Sequence, residues 1–173
     1  MTRPISPFWP FEWWLAWWDA WGPEPYVAPL TDSGQARTLA RLHATAFARP
    51  WDGHEFERML CERSTQAHAL WRAGSVQGFV LSRKVADEAE ILTVVLSPSV
   101  RGGGLSRRLL REHLAALSLA GIRHVHLEVD EGNAPALRLY ARHGFAKVGE
   151  RTGYYTHKDG GRTTALTMRA TLA

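Results

Sequence analysis

The chain has 173 residues, 45% of them hydrophobic and 22% charged, which excludes a disordered polymer and bounds it to one domain with or without an appendage. Its net charge is only +4, and apart from a cluster at Arg107, Arg108 and Arg111 the basic residues are scattered, a balance that suits an acidic ligand better than a nucleic-acid track. The single cysteine, Cys61, excludes an internal disulfide and fits a reducing, cytoplasmic setting, and no run of about 20 apolar residues exists that could cross a membrane.

The chain opens MTRPISPFWPFEWWLAWWDAWGPEP. Glu12 and Asp19 interrupt its apolar stretch and no small-residue cleavage site follows, so a signal peptide is not expected. Six of the eight tryptophans lie between Trp9 and Trp21, bracketed by Pro7 and Pro10 before and by Gly22, Pro23 and Pro25 after. These are the start and stop signals of one short helix, forming an N-terminal extension over residues 1–25. Trp13 and Trp17 fall on one line of it, and Trp14, Trp18 and Trp21 on another. A helix apolar all round must be covered, either by its own domain, by a partner protein or by a membrane surface.

From Tyr26 onward the pattern is regular. Tyr26 and Val27 begin a short strand. Asp32 or Ser33 can cap a helix whose apolar side is Ala36, Leu39, Leu42, Ala46 and Phe47, and Pro50 stops it. Asp52 caps a second helix with Phe56, Met59 and Leu60 inward and Cys61 as a half-buried thiol. Strands follow near Ala67–Arg72, Val76–Val85 and Glu90–Leu96, the first two joined by a hairpin at RAGSV. The run ILTVVL is almost wholly apolar and β-branched, which marks a central strand covered on both faces. A third helix extends to about Ala120 with Gly121 as its stop. Strand His124–Val129, helix Asn133–His143 and strands near Phe145–Tyr155 and Thr163–Thr171 complete the order β-α-α-β-β-β-α-β-α-β-β. That order specifies an α/β fold with a mixed sheet, in a domain spanning residues 26–173.

Two places carry chemistry. The segment LSPSVRGGGLSRRLL joins the buried strand to an amphipathic helix. Gly102, Gly103 and Gly104 let the backbone bend sharply and leave no side chains between its N–H groups and a ligand. The following helix adds free N–H groups and a positive dipole end. Such a cradle suits a diphosphate, with Arg101 and Arg107 or Arg108 adding charge; the alternative is a plain strand-to-helix turn. No Gly-Lys-Ser/Thr follows, which excludes a nucleoside-triphosphatase loop, and the glycine spacing does not fit a dinucleotide fingerprint. The second place is LEVDEGNAPALRLY. Strand alternation sends Val125, Leu127 and Val129 to one face and His124, His126, Glu128 and Asp130 to the other. Asn133, Leu137 and Tyr140 share a helical stripe. If strand and helix pack in sequence, Glu128 and Tyr140 face one cleft beside the end of ILTVVL. The competing readings are a solvated or paired glutamate and a core tyrosine. His124 and His126 lie two apart, but no third and fourth ligand with sensible spacing accompanies them, so no metal site is expected.

The pattern Arg101-x-x-Gly104-x-Ser106 resembles the Arg/Gln-x-x-Gly-x-Gly/Ala signature of the GCN5-related N-acetyltransferases (GNAT), with serine replacing the last small residue. LEV-x(3)-N-x(2)-A-x(2)-LY-x(3)-GF, HATAFARPWDGHEFERML and the tail GERTGYYTHKDGGRTTALTMRATL are similar to blocks of the bacterial RimI-type ribosomal-protein alanine N-acetyltransferases. The likeness spans about Tyr26 to Leu172. It implies a GNAT fold, a mixed and mostly antiparallel sheet of six to seven strands with helices on both faces, and acetyl-coenzyme A as cosubstrate without a metal. By this resemblance Glu128 is the general base and Tyr140 the general acid. The coenzyme contacts are Val94, Val95 and Leu96, the loop Arg101, Gly102, Gly103, Gly104, Leu105 and Ser106, and Asn133. Tyr154 and Tyr155 help to shape a peptide slot. The implied partner is the N-terminus of a ribosomal protein, with further contact through Trp9–Trp21. The sequence departs from the resemblance at Asp130, Glu131, Gly132 and Thr164, changes that touch the acceptor side more than the coenzyme side, and the tryptophan helix has no counterpart. The alternatives are acetyl transfer to a small-molecule amine or another protein N-terminus, and a catalytically silent acyl-coenzyme module docking through its tryptophans. An α-amine, with a pKa near 8 against about 10.4 for lysine, is the easier acceptor for a single carboxylate.

Overall fold

A computed structural model describes residues 24–156 and 162–172. The expected helix Trp9–Trp21 lies outside the described residues. The elements are β1 (Tyr26–Pro29), α1 (Ala36–Ala44), α2 (Gly53–Cys61), β2 (Thr65–Arg72), β3 (Ser75–Val85), β4 (Glu88–Leu96), α3 (Leu105–Leu119), β5 (His124–Asp130), α4 (Ala134–Ala141), β6 (Ala146–Thr156) and β7 (Arg162–Thr171). Short 3-10 turns at Ser33–Gln35 and Pro98–Val100 precede α1 and the glycine loop. The order is the one read from the sequence, with ends shifted by a few residues.

Local chemistry explains most ends. Asp52 caps α2 reciprocally: its side chain accepts from the Glu55 N–H at 2.9 Å while Glu55 accepts from the Asp52 N–H at 2.8 Å. Asp32 accepts from Gly34 N–H and so caps the 3-10 turn that leads into α1. The β2–β3 hairpin has two central residues, Ala73 and Gly74, both at positive φ (48° and 74°), the primed turn whose twist matches its strands. Two expectations fail. Ala46 and Phe47 lie beyond α1, because the chain leaves the helix at Thr45; Phe47 is 42% exposed and stacks on the His43 ring at 4.2 Å. Cys61, the last residue of α2, is exposed and not half-buried.

The seven strands form one sheet in the order β1-β2-β3-β4-β5-β7-β6. Every neighbouring pair is antiparallel except β4–β5. Each face carries a core. On one, α3 and α4 pack Leu109, Leu110, Leu114, Leu117 and Tyr140 against Val80, Ile91, Val125, Leu127, Val129 and Met168. On the other, α1 and α2 pack Leu39, Phe56 and Met59 against Ala69, Phe79, Leu81 and Val95. Three histidines are buried within these layers. Under α3, His113 Nε2 lies 2.7 Å from Ser82 Oγ, and its Nδ1 lies 2.9 Å from Nδ1 of His68. His43 Nδ1 accepts from the Trp51 N–H at 3.1 Å, with the indole stacked on the imidazole at 4.7 Å.

Candidate active site

The sheet opens where its one parallel seam ends. β4 and β5 pair from Glu88↔His124 to Ile91↔Leu127 and no further. Beyond that point β4 stays on β3, with Val94↔Val80, Val95↔Phe79 and Leu96↔Gly78. β5 stays on β7, with Glu128↔Thr167, Val129↔Leu166 and Asp130↔Ala165. The cause lies in β4. The β3–β4 register shifts between Leu81↔Thr93 and Ser82↔Ile91, so Leu92 is an extra residue in the ladder. A bulge of this kind bends its strand and increases local twist, and here it carries β4 away from β5. The opening leaves Val94–Leu96 on one lip and Glu128–Asp130 on the other.

The glycine loop lies at the end of the first lip. Gly102 (φ 84°) and Gly104 (φ 75°) both adopt the left-handed conformation that glycine tolerates without a Cβ clash. Gly104 is the N-cap of α3 and offers no side-chain cap, and a Cβ added at Gly102, Gly103 or Gly104 would meet nothing within 4 Å. The first amides of the 15-residue α3 are therefore presented to an exposed surface free of side chains, which fits an anionic group such as a diphosphate. The arginines behave differently from expectation. Arg101 turns back, its Nε donating to Leu96 O at 3.0 Å, so it braces the strand end. Arg108 Nη1 donates to Pro25 O at 2.6 Å, which ties α3 to the chain entering β1.

Glu128 stands on β5 in the expected alternation: Val125, Leu127 and Val129 are buried, and His124, His126, Glu128 and Asp130 are partly exposed. Its carboxylate is 25% exposed and meets a partner absent from the sequence reading, Arg151 Nη1 on β6 at 3.4 Å. β7 lies between these strands, and its residues there are Thr167 beside Glu128 and Ala165 beside Arg151. Short side chains at both places let the guanidinium reach across. Nothing in linear spacing signals a pair that skips a strand.

Tyr140, on α4, is 8% exposed and packs at 5.7 Å on Phe145, within the cluster that contains Leu127 and Val129. It therefore lies on the α3/α4 side of the sheet, whereas Glu128 faces the α1/α2 side. The single cleft expected for acid and phenol is therefore not formed on one face of the sheet: the two approach from opposite faces, with the opened seam between them. Asn133 is the N-cap of α4, its Oδ1 accepting from Ala136 N–H at 3.2 Å. Asp130 accepts from Thr163 Oγ1 at 2.9 Å and from Gly132 N–H at 2.8 Å, and Glu131 accepts from Thr164 N–H at 2.9 Å. These two acids pin the β5–α4 turn to the start of β7. Among the described residues, no group of three or more His, Cys, Asp and Glu side chains is placed to hold a metal ion. Among the same residues, no helix is long and apolar enough to cross a membrane.

Comparison with known proteins agrees with this architecture. The profile of the Acetyltransferase (GNAT) family matches residues 36–145. The [ribosomal protein bS18]-alanine N-acetyltransferase of Escherichia coli K12 is 32% identical over 127 residues, covering 73% of this chain and 84% of that protein. The N-alpha-acetyltransferase RimI of Mycobacterium tuberculosis is 33% identical over 138 residues, covering 76% and 85%. The crystal structure of the ribosomal-protein-S18-alanine N-acetyltransferase from Escherichia coli superposes with a TM-score of 0.80 at 26% identity, covering 87% of this chain and 95% of that one. With the family profile spanning most of the domain and an opened parallel seam at its centre, this chain belongs to the GNAT family of acetyltransferases.

Proposed function

We propose that this protein transfers an acetyl group from acetyl-coenzyme A to the N-terminal α-amine of a ribosomal protein, with alanine as the acceptor residue. The observation that carries the reading is the seam opened between β4 and β5, with an anion-fitting loop at one end and a carboxylate on its lip. Relatives named for bS18-alanine acetylation, similar over most of their own length, support the acceptor class. The reaction places the protein in the cytoplasm, and residues 26–173 form its catalytic domain. Residues 1–25 are an appendage whose tryptophans suit contact with a partner or a membrane surface.

Acetyl-coenzyme A supplies the acetyl group as an activated thioester. The amides of Gly102, Gly103, Gly104, Leu105 and Ser106 would hold its diphosphate, and Asn133, whose cap leaves the amide nitrogen free to point outward, would contact it from α4. The open edge Val94–Leu96 offers backbone N–H groups to the reacting carbonyl oxygen, the kind of preorganised donor that stabilises an oxyanion. Attack on one face of a carbonyl and departure of a thiol call for separate entrances, and the opposed placement of Glu128 and Tyr140 suits that need. Glu128 takes the proton of the attacking amine, directly or through water, with Arg151 orienting its carboxylate. Tyr140 gives a proton to the departing sulfur, a role for which a phenol and a thiol are suitably matched acids.

The test uses purified full-length protein, acetyl-coenzyme A and ribosomal proteins, with mass spectrometry of every N-terminus. The expected result is one added acetyl group on the α-amine of a single protein beginning with alanine. Acetylation confined to lysine side chains or to free small amines would overturn the acceptor assignment. Glu128→Gln and Tyr140→Phe should each lower kcat by about 100-fold or more while acetyl-coenzyme A still binds. Wild-type turnover in both would remove their assigned roles.

A further inference from the structure

The four positions at which the sequence departs from the family pattern, Asp130, Glu131, Gly132 and Thr164, come together in the fold. The β5–β7 ladder ends at Asp130↔Ala165. One further pair, Glu131 with Thr164, is half made. The Glu131 N–H donates to Thr164 O at 3.0 Å, as a ladder bond does. The return bond, from the Thr164 N–H, goes at 2.9 Å to Oε1 of the Glu131 side chain, where an antiparallel pair uses the main-chain carbonyl. The carboxylate thus stands in for its own backbone. The released backbone turns at once. Asn133 N–H donates to Asp130 O at 2.9 Å, Gly132 N–H donates to Asp130 Oδ1 at 2.8 Å, and α4 begins at Ala134 with Asn133 as its cap. Gly132 leaves room for this closure, since a Cβ there would stand 3.3 Å from the same Asp130 oxygen. On the far side of β7 the ladder is also interrupted: Thr152, Gly153 and Tyr154 fall between the pairs Arg151↔Ala165 and Tyr155↔Thr163, and Gly153 is at φ 66°. At the level of Thr164, then, it is the Glu131 side chain that decides where β5 leaves the sheet. Upstream of that point on β5 stands Glu128; downstream are Asn133 and, near the end of α4, Tyr140.

We propose that Glu131 is a positioning residue that sets the placement of α4, and with it Asn133 and Tyr140, against Glu128 across the opened seam. The inference rests on the acid and base roles given above to Tyr140 and Glu128. The physical reason is a competition for one donor. A carboxylate oxygen is a stronger acceptor than a carbonyl for the Thr164 N–H. Without it, that N–H is left to the main-chain carbonyl of residue 131. The ladder then closes one residue further, and Gly132 and Asn133 are drawn toward β7. α4 starts from a displaced cap, and the Tyr140 hydroxyl moves relative to the sulfur it serves. A displacement of about 1 Å from the productive geometry costs up to about 100-fold in rate. Glu131 exchanges no proton in this arrangement.

The experiment compares Glu131→Ala, Glu131→Gln, Tyr140→Phe and the double variant Glu131→Ala/Tyr140→Phe in full-length protein. It measures kcat, KM for acetyl-coenzyme A, and Tm. Glu131→Ala should lower kcat by about 10-fold and raise KM for acetyl-coenzyme A through the displaced Asn133. Glu131→Gln, which keeps a side-chain oxygen as acceptor, should recover most of the loss. The double variant separates positioning from folding. With the phenol already gone, Glu131→Ala should cost less than about 3-fold in kcat, because residues that act through one another are not additive. Wild-type kcat and KM in Glu131→Ala, whatever its Tm, would overturn the inference. So would a loss of about 10-fold that persists undiminished in the Tyr140→Phe background, or a Glu131→Gln variant as impaired as Glu131→Ala. Wild-type kcat in Tyr140→Phe would instead remove the general-acid assignment on which the inference rests.

Discussion

Acidification should destabilise this protein through buried imidazoles well before its carboxylates protonate. Burial pushes His113 from the ordinary 6.5 down to about 3, and the neighbouring His68 adds to the shift. Burial likewise takes His43 to about 4, against a smaller opposing pull from Glu55, and lowers His68. The geometry accounts for the direction: His43 Nδ1 must stay unprotonated to accept from Trp51 N–H, and His113 touches a second imidazole nitrogen. All three are neutral in the fold and titrate at 6.5 when unfolded. The unfolded chain therefore binds more protons below that pH, and stability is complete above about 6.5 and falls toward the folded values. At pH 5 each of His43 and His113 should have cost about 2 kcal/mol relative to pH 7.5. Together they amount to about 4 kcal/mol, or a Tm lower by about 8–16 °C for a chain of this size. Thermal unfolding at half-unit steps from pH 7.5 to 5 reads this directly. His113→Asn should cost stability at pH 7.5 but remove about half of the acid-dependent loss. A Tm constant to within about 2 °C across the range would refute the claim that these histidines are buried neutral.

Two substitutions test the scaffold. A Cβ added at Gly78 on β3 would come within 2.8 Å of Val95 O and 2.9 Å of Leu96 Cγ. Gly78→Ala should therefore lose about 1–3 kcal/mol in urea unfolding and raise KM for acetyl-coenzyme A, because the displaced backbone is the lip of the seam; unchanged stability and KM would exclude that packing. Ala73 occupies a left-handed turn position at φ 48° that asparagine favours. Ala73→Asn should raise Tm by about 1–4 °C with turnover unchanged, and a lower Tm would argue against the turn.

Much of the fold was legible because its signals are local. Asp52 ahead of its helix, Gly121 beyond another, and the alternation of HVHLEVD each constrain a few residues of backbone, and the structure uses them as read. The departures arise where a side chain has a competing local partner. Phe47 stacks on His43 and so covers a buried imidazole from outside instead of extending α1 into the core.

The site divides along the same line. Periodicity was enough to separate Glu128 from Leu127 and Val129, and the three glycines were enough to mark a loop that no side chain fills, because both properties belong to consecutive residues. Tertiary structure alone decided the rest. Which strand lies next to β5 determines that Arg151 reaches Glu128 across β7. The register of β3 on β4 determines that Leu92 is extra, that the parallel seam stops at Ile91↔Leu127, and that Thr93 turns toward the α1/α2 face. Whether Tyr140 shares a face with Glu128 depends on which side of the sheet α4 packs, and it packs opposite. Pairing partners and packing sides are relations between segments far apart in the chain, so no spacing within one segment can encode them.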